Sequence, residues 1–173
     1  FVKELIMMFK VQDTIKLLKS IDEIISKFNL KKNDKESYLE FRYDYNNKIR
    51  FKNDYVIYLY VLILYGFQQQ IRFNSNYEFN NPIGESGYNE SIKEKVISFS
   101  LRLKELNVSF NTLDYTGLKQ LITKESLVYI DPPYLITLGS YNDGKRGFNG
   151  WNEEEEIRLI NFIESIKKLC YYV

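Results

Sequence analysis

Apolar positions recur at helical spacing over residues 1–28: Leu5, Met8 and Phe9, then Ile15, Leu18, Ile21, Ile25 and Phe28. Side chains three and four apart share one face of a helix. Asp13 lies between the two sets, and a carboxylate there can accept the free N–H groups of a first helical turn. The pattern therefore predicts two amphipathic helices. Residues 31–52 are highly charged, with Tyr38, Phe41 and Tyr45 as their aromatic positions at spacings of three and four. This predicts a helix lying on the surface with a narrow aromatic stripe. Asp54 to Tyr65 is apolar almost throughout, which predicts a helix buried on most sides.

The period then changes from 3.6 to 2. Ile71 and Phe73, followed by Tyr77 and Phe79, flank the polar run Asn74-Ser75-Asn76 and predict a β-hairpin within 71–83. Helical spacing returns from Tyr88 to Leu106 through Ile92, Val96, Phe99 and Leu103, with Asn89 as N-cap. Val108 to Leu113 reads as a short strand ending at Asp114 and Tyr115, and Leu118 to Ile122 as a helical turn. Leu127 to Ile130 reads as a buried strand that stops at Asp131-Pro132-Pro133-Tyr134, because neither proline has an N–H to continue a ladder. Gly139, Gly144, Gly147 and Gly150 punctuate a loop carrying Lys145, Arg146 and Phe148. Trp151 and Asn152 open a helix from Glu153 to Leu169, whose four leading glutamates sit at the positive end of its dipole. Cys170 to Val173 starts another strand. Strands alternating with helices predict an α/β arrangement with parallel pairing over 108–173, behind a helical block with an inserted hairpin.

Composition narrows the chemistry. The 173 residues contain no histidine, which removes Ser-His and Cys-His hydrolases and ordinary His-containing zinc sites. The single cysteine, Cys170, permits no disulfide framework. With no signal or targeting segment visible, that suggests a cytoplasmic protein. A net charge of +1 means that any nucleic-acid binding rests on a local patch. Lys48, Arg50 and Lys52 are one such cluster, read either as a solvated face or as a phosphate contact. The longest apolar stretch, Tyr55 to Phe67, is too short and too tyrosine-rich to span a membrane. The chain opens inside a predicted helix and closes inside a predicted strand, so a fragment is expected.

An acid, two prolines and a ring at a strand end can perform a specific task. The exocyclic amino group of a heteroaromatic base is a poor nucleophile, since its lone pair is delocalised into the ring. The Asp131 carboxylate and the Pro132 carbonyl could accept both amino hydrogens and aim the lone pair at an electrophile, with the prolines fixing the acceptors in advance. Tyr134 offers a face for the base, a contact worth about 1–3 kcal/mol. In the hairpin, Gln, Asn and Arg side chains crowd together, and these are the residues that read base edges in a major groove.

Asp131-Pro-Pro-Tyr134 resembles the catalytic motif of adenine-specific DNA methyltransferases, which use S-adenosylmethionine to methylate the 6-amino group. Arg72-Phe-Asn-Ser-Asn-Tyr-Glu-Phe-Asn-Asn-Pro-Ile-Gly84 resembles the recognition hairpin of the Dam-type, alpha-class branch, patterned as Arg, any, Asn, then Glu-Phe-Asn-x-Pro-x-Gly. The resemblance implies a partial Rossmann-like class I methyltransferase sheet with a helical target-recognition region. Residues 1–30 would be a helical part of the catalytic domain, 31–105 the recognition region with its hairpin, and 106–173 part of the catalytic sheet. Asp131, Pro132 and Pro133 would form the clamp on the target amino group, and Tyr134 would stack on the flipped adenine. Asp114, Tyr115 and Asp131 would face the cofactor. Arg72 would read a guanine in double-stranded DNA, in a GATC-like site, while Asn74, Asn80 and Pro82 support the contact. Phe67, or the glutamines after it, would wedge into the stack, and Lys145 and Arg146 lie in a loop that would close near the base.

The family's Phe-x-Gly-x-Gly turn, which cradles the methionine end of the cofactor, has no counterpart in these residues. The expectation is weak cofactor binding and no methyl transfer by this chain alone. Two other readings follow from the same residues: a DNA-binding module without catalysis, and an oligomerisation fragment paired through an exposed sheet edge.

Overall fold

The computed structural model describes residues 1–132, 151–167 and 169, and the backbone of 171–172. They are mixed but helix-rich, with two very short strands, and divide into two compact units, Phe1–Phe110 and Asn111–Val173.

The first unit is a helical core built around one apolar rod. Helices α1 (Val2–Val11) and α2 (Thr14–Lys27) are separated as expected at Asp13, whose carboxylate accepts the Lys16 N–H at 2.9 Å. The buried face of α2 is Leu17, Ile21 and Ile24, and Ile15, expected on that face, is exposed. Helix α3 (Lys35–Asn47) departs further from expectation. Its aromatic stripe, Tyr38, Phe41 and Tyr45, is fully buried instead of lying on the surface. The reason is the neighbour: α4 (Tyr55–Tyr65) carries apolar or aromatic side chains all round, and α1, α2 and α3 all pack against it. Helix α5 (Glu90–Glu105) is capped by Asn89, which accepts the Ile92 N–H at 3.0 Å. It is tied to α1 by Ser100, whose hydroxyl donates to the Phe9 carbonyl.

Val108 to Leu113 forms no strand. Lys10 Nζ donates to the Leu106 and Val108 carbonyls at 2.9 and 3.1 Å, and Val108 and Phe110 pack on the first unit's core. The lysine thus ties the start of the stretch to α1.

In the second unit, strand β1 (Leu127–Val128) pairs in parallel with β2 (Tyr171–Tyr172), in register Leu127 with Tyr171 and Val128 with Tyr172. Helix α6 (Glu153–Ile166) lies between them in the chain, as the strand-helix-strand pattern required. Asn152 caps it by accepting the Glu155 N–H at 2.9 Å. Leu127 and Tyr129 are 69% and 74% exposed, so this is not the buried strand expected. Alternation puts Val128 and Ile130 against Trp151, Leu159, Phe162 and Ile166, while no described residue covers the other face.

Candidate functional site

The recognition stretch is organised by α3 rather than by a sheet of its own. Phe73 and Phe79 form an isolated antiparallel bridge, flanked by Asn74 N–H to Glu78 carbonyl and Asn80 N–H to Arg72 carbonyl bonds of 2.9 and 3.0 Å. Those bonds leave the N–H and C=O of Phe79 pointing outward, away from Phe73. There Asn46 takes the place of a neighbouring strand: its Nδ2 donates to the Phe79 carbonyl at 2.9 Å and its Oδ1 accepts the Phe79 N–H at 2.8 Å. One position up the helix face, Arg42 Nη1 donates to the Asn81 carbonyl at 2.9 Å, and one further up the Tyr38 hydroxyl does the same at 2.9 Å. Burial raises the Tyr38 phenol to about 12, so it remains a donor at any ordinary pH. One position down, Arg50 Nη1 donates to the Asn76 and Tyr77 carbonyls at 3.3 and 2.8 Å.

Tyr38, Arg42, Asn46 and Arg50 thus form a rack of polar side chains at intervals of four. Sequence reasoning missed this role, although the spacing was visible within the charged 31–52 segment. Within the basic cluster, Arg50 anchors the arm and Lys48 pairs with Asp44 at 2.7 Å.

The predicted contact residues fall into two groups. Arg72 is exposed, and no hydrogen bond or ion pair engages its guanidinium among the described residues. Phe67 and Pro82 are also exposed. Asn74 instead builds the turn, its Oδ1 accepting the Asn76 and Glu78 N–H groups at 3.0 Å and its Nδ2 donating to Glu78 at 2.7 Å. Asn80 Oδ1 is buried without a hydrogen-bond partner among the described residues. Gly84 is required by close approach, since a Cβ there would meet the Gly66 carbonyl oxygen at 2.5 Å.

In the second unit, Asp131 leaves the end of the β1 segment on its exposed side, with Pro132 half-buried beside it. Both line a cavity of about 560 Å³ whose walls include Tyr115, Ile130, Trp151 and Phe162. The indole N–H of Trp151 donates to Glu156 at 2.5 Å, fixing the ring. Tyr115 meets Phe162 edge-on with centroids 5.2 Å apart, and the Arg158 guanidinium lies 5.2 Å from the Tyr115 ring centre. Asp114 Oδ1 accepts the Thr116 N–H at 3.0 Å, the Thr116 hydroxyl at 2.5 Å and Arg158 Nη2 at 2.8 Å. Those bonds, the Thr116 hydroxyl first, hold its carboxyl below the usual range. Arg158 was not anticipated from sequence, because its partner lies 44 residues away. Pro133, Tyr134, Lys145 and Arg146 lie outside the described residues.

Apolar and aromatic walls with one carboxylate at the rim suit a flat ring bearing an amino group. They would hold the adenine portion of S-adenosylmethionine or of a target nucleotide equally well. Among the described residues no cluster of His, Cys, Asp or Glu could hold a metal ion. No described helix is long and apolar enough to cross a membrane.

Comparison with known proteins agrees with this chemistry. The chain is 37% identical over 174 residues to the modification methylase StsI of Streptococcus sanguinis, covering 96% of the chain and 25% of the relative. It is 38% identical over 176 residues to the type II methyltransferase M.FokI of Planomicrobium okeanokoites, covering 99% and 26%. It is 32% identical to the modification methylase LlaI of Lactococcus lactis subsp. lactis, covering 96% and 26%. The chain therefore spans about a quarter of the length of these relatives. The family profile of the D12 class N6 adenine-specific DNA methyltransferases matches residues 1–173, and the chain belongs to that family.

Proposed function

We propose that this chain is part of a site-specific modification methyltransferase that transfers a methyl group from S-adenosylmethionine to the 6-amino group of adenine in double-stranded DNA. The observation that carries the reading is Asp131 and Pro132 at the carboxyl end of a strand in a parallel strand-helix-strand unit, at the rim of an apolar cavity. Ligands of open α/β sheets bind beyond the carboxyl ends of their strands. The same unit supports reading 106–173 as part of a Rossmann-like sheet. The antiparallel bridge at Phe73 and Phe79, with Arg72 free beside it, supports reading 71–83 as a recognition hairpin.

In the mechanism, Arg72 donates to a guanine edge in the major groove, and Phe67 fills the gap as the target base leaves the stack. The extruded adenine enters the cavity beside Asp131. The Asp131 carboxylate and the Pro132 carbonyl accept one amino hydrogen each, turning the nitrogen lone pair out of conjugation. Tyr134, next but one in the chain, would close over the ring. The apolar walls would border the bound ring. When bound, S-adenosylmethionine would supply a methyl group on a positively charged sulfur that leaves with the bond electrons, and Asp131 or water would take up the surplus amino proton.

The test is Asp131→Asn in the full-length protein. Removing the charged acceptor should lower methyl transfer by about 10²–10³-fold, the usual consequence of losing one preorganised electrostatic contact. Duplex affinity should stay within about threefold, a change below 1 kcal/mol. Unchanged transfer would remove Asp131 from the clamp.

A further inference from the structure

Two consecutive non-glycine residues, Gln68 (φ 50°) and Gln69 (φ 54°), occupy the left-handed region directly after α4. L-residues rarely adopt that conformation, and it persists only where the surroundings enforce it. The turn's own bonds, Gln69 N–H to the Gly66 carbonyl at 3.0 Å and Gln70 N–H to the Phe67 carbonyl at 3.2 Å, are joined by one side chain from outside it. Asn81 is 1% exposed, and its Nδ2 donates to the carbonyl of Phe67 at 2.9 Å and of Gln70 at 3.1 Å. Those carbonyls bracket the strained pair. Both partners are acceptors, so the nitrogen, not Oδ1, must face the turn.

Asn81 is itself fixed. Its main-chain carbonyl takes the Tyr38 hydroxyl and Arg42, so the rack on α3 reaches the turn through this residue. Gly66 lets the amide come close, since a Cβ there would lie 2.6 Å from Asn81 Nδ2. The Phe67 N–H donates to the Pro82 carbonyl at 2.8 Å, closing the turn against the same arm. The outcome is an exposed aromatic ring, 47% accessible, followed by three exposed glutamines. In the recognition pattern Glu-Phe-Asn-x-Pro-x-Gly, Asn81 occupies the first open position, so the pattern gives no reason for an asparagine there.

We propose that Asn81 is a positioning residue for DNA distortion. Its amide holds the Phe67–Gln70 turn in its strained form, so that the Phe67 ring is presented to the base stack in the same body as Arg72. This rests on the reading that the 71–83 arm engages duplex DNA. A preformed wedge avoids ordering the turn at the moment of binding. Sequence reading and base extrusion should therefore separate on mutation: Arg72 carries the first and Asn81 the second.

The experiment uses the full-length protein and a duplex carrying the sequence that the wild type methylates, with 2-aminopurine at the methylated adenine. Binding is followed by anisotropy, and extrusion by the rise in 2-aminopurine fluorescence. Asn81→Asp keeps the size, removes both N–H donors and sets a carboxylate against the Phe67 and Gln70 carbonyls. It is expected to lower the fluorescence rise at least fivefold while affinity stays within about threefold, a change below 1 kcal/mol. Adding Gln68→Gly and Gln69→Gly to Asn81→Asp should restore part of the rise, because glycine adopts positive φ without strain. Tyr38→Phe, a gentler loosening of the anchor, should give an intermediate loss. An undiminished rise in Asn81→Asp, or binding and extrusion falling in parallel, would overturn the proposal. A wild-type protein that neither binds the duplex nor alters the fluorescence would overturn the DNA-methylase reading itself.

Discussion

Asn46→Ala tests the claim that α3 is the rack for the recognition arm. The substitution removes a donor and an acceptor that serve the N–H and C=O of Phe79 at 2.8 and 2.9 Å. Phe79 is 1% exposed, so both backbone groups lose their partners in a poorly hydrated place. A buried polar group without a partner costs about 1–3 kcal/mol. The Asn46 side chain is only half-buried, so water will reach part of the vacated space, and the lower half of the range applies to each group. The expected loss is about 3 kcal/mol for the two together, or roughly 10²-fold in the folding equilibrium. Urea denaturation followed by far-ultraviolet circular dichroism measures it, with a lower midpoint and an unchanged slope. Asn47→Ala is the matched control, because Asn47 donates to Tyr43 on the exposed side and its loss should stay within about 0.5 kcal/mol. Asn46→Asp keeps the acceptor but sets a carboxylate against the Phe79 carbonyl, so it should be at least as damaging as alanine at neutral pH. Equal midpoints for Asn46→Ala and Asn47→Ala would refute the reasoning.

Three further outcomes are expected. Gly84→Ala should destabilise by about 1–3 kcal/mol in the same assay, because the new Cβ meets Gly66 backbone that cannot swing aside. Absorbance titration at 295 nm should show late tyrosines. Burial pushes Tyr38, Tyr55, Tyr60 and Tyr88 to about 12, so their stabilising contribution is complete below the unfolded value near 10 and is lost as pH rises through about 12; Tyr38→Phe should remove one of the late group. Arg72→Ala in the full-length protein should weaken binding to its own site by about 1–3 kcal/mol and relax the preference at one base pair. Sequence-selected binding from a randomised duplex pool would show an unaltered preference if Arg72 is not a reader.

What the chain discloses on its own follows how local each feature is. The caps at Asp13, Asn89 and Asn152 were legible because a cap is decided within four residues, and each accepts the bond expected of it. The strand expected to run to Ile130 ends at Val128, three residues before Asp131, so the prolines do not set its end. The position of α3 was not legible, since burial of Tyr38 depends on α4, an apolar rod later in the chain. The Val108–Leu113 stretch has strand-like residues, yet the Lys10 ammonium takes the Val108 carbonyl from 98 residues away. Asn46 as a surrogate strand and Arg158 as the partner of Asp114 are long-range in the same sense. The motif in 72–84 made Arg72 the expected contact residue, and the structure leaves it exposed. The motif's pattern was silent on Asn81, whose importance appears only once the turn it brackets has been seen.

The proposed function puts the methyl group on one atom. In the proposed reading an Asp-Pro clamp holds an exocyclic amino nitrogen, and the family is that of the N6 adenine-specific DNA methyltransferases. Duplex DNA treated with the full-length protein and S-adenosylmethionine, digested to nucleosides and analysed by mass spectrometry, should yield N6-methyladenine as the only methylated base, confined to one short sequence. Methyl groups on cytosine, or methylated adenine spread without sequence preference, would contradict it.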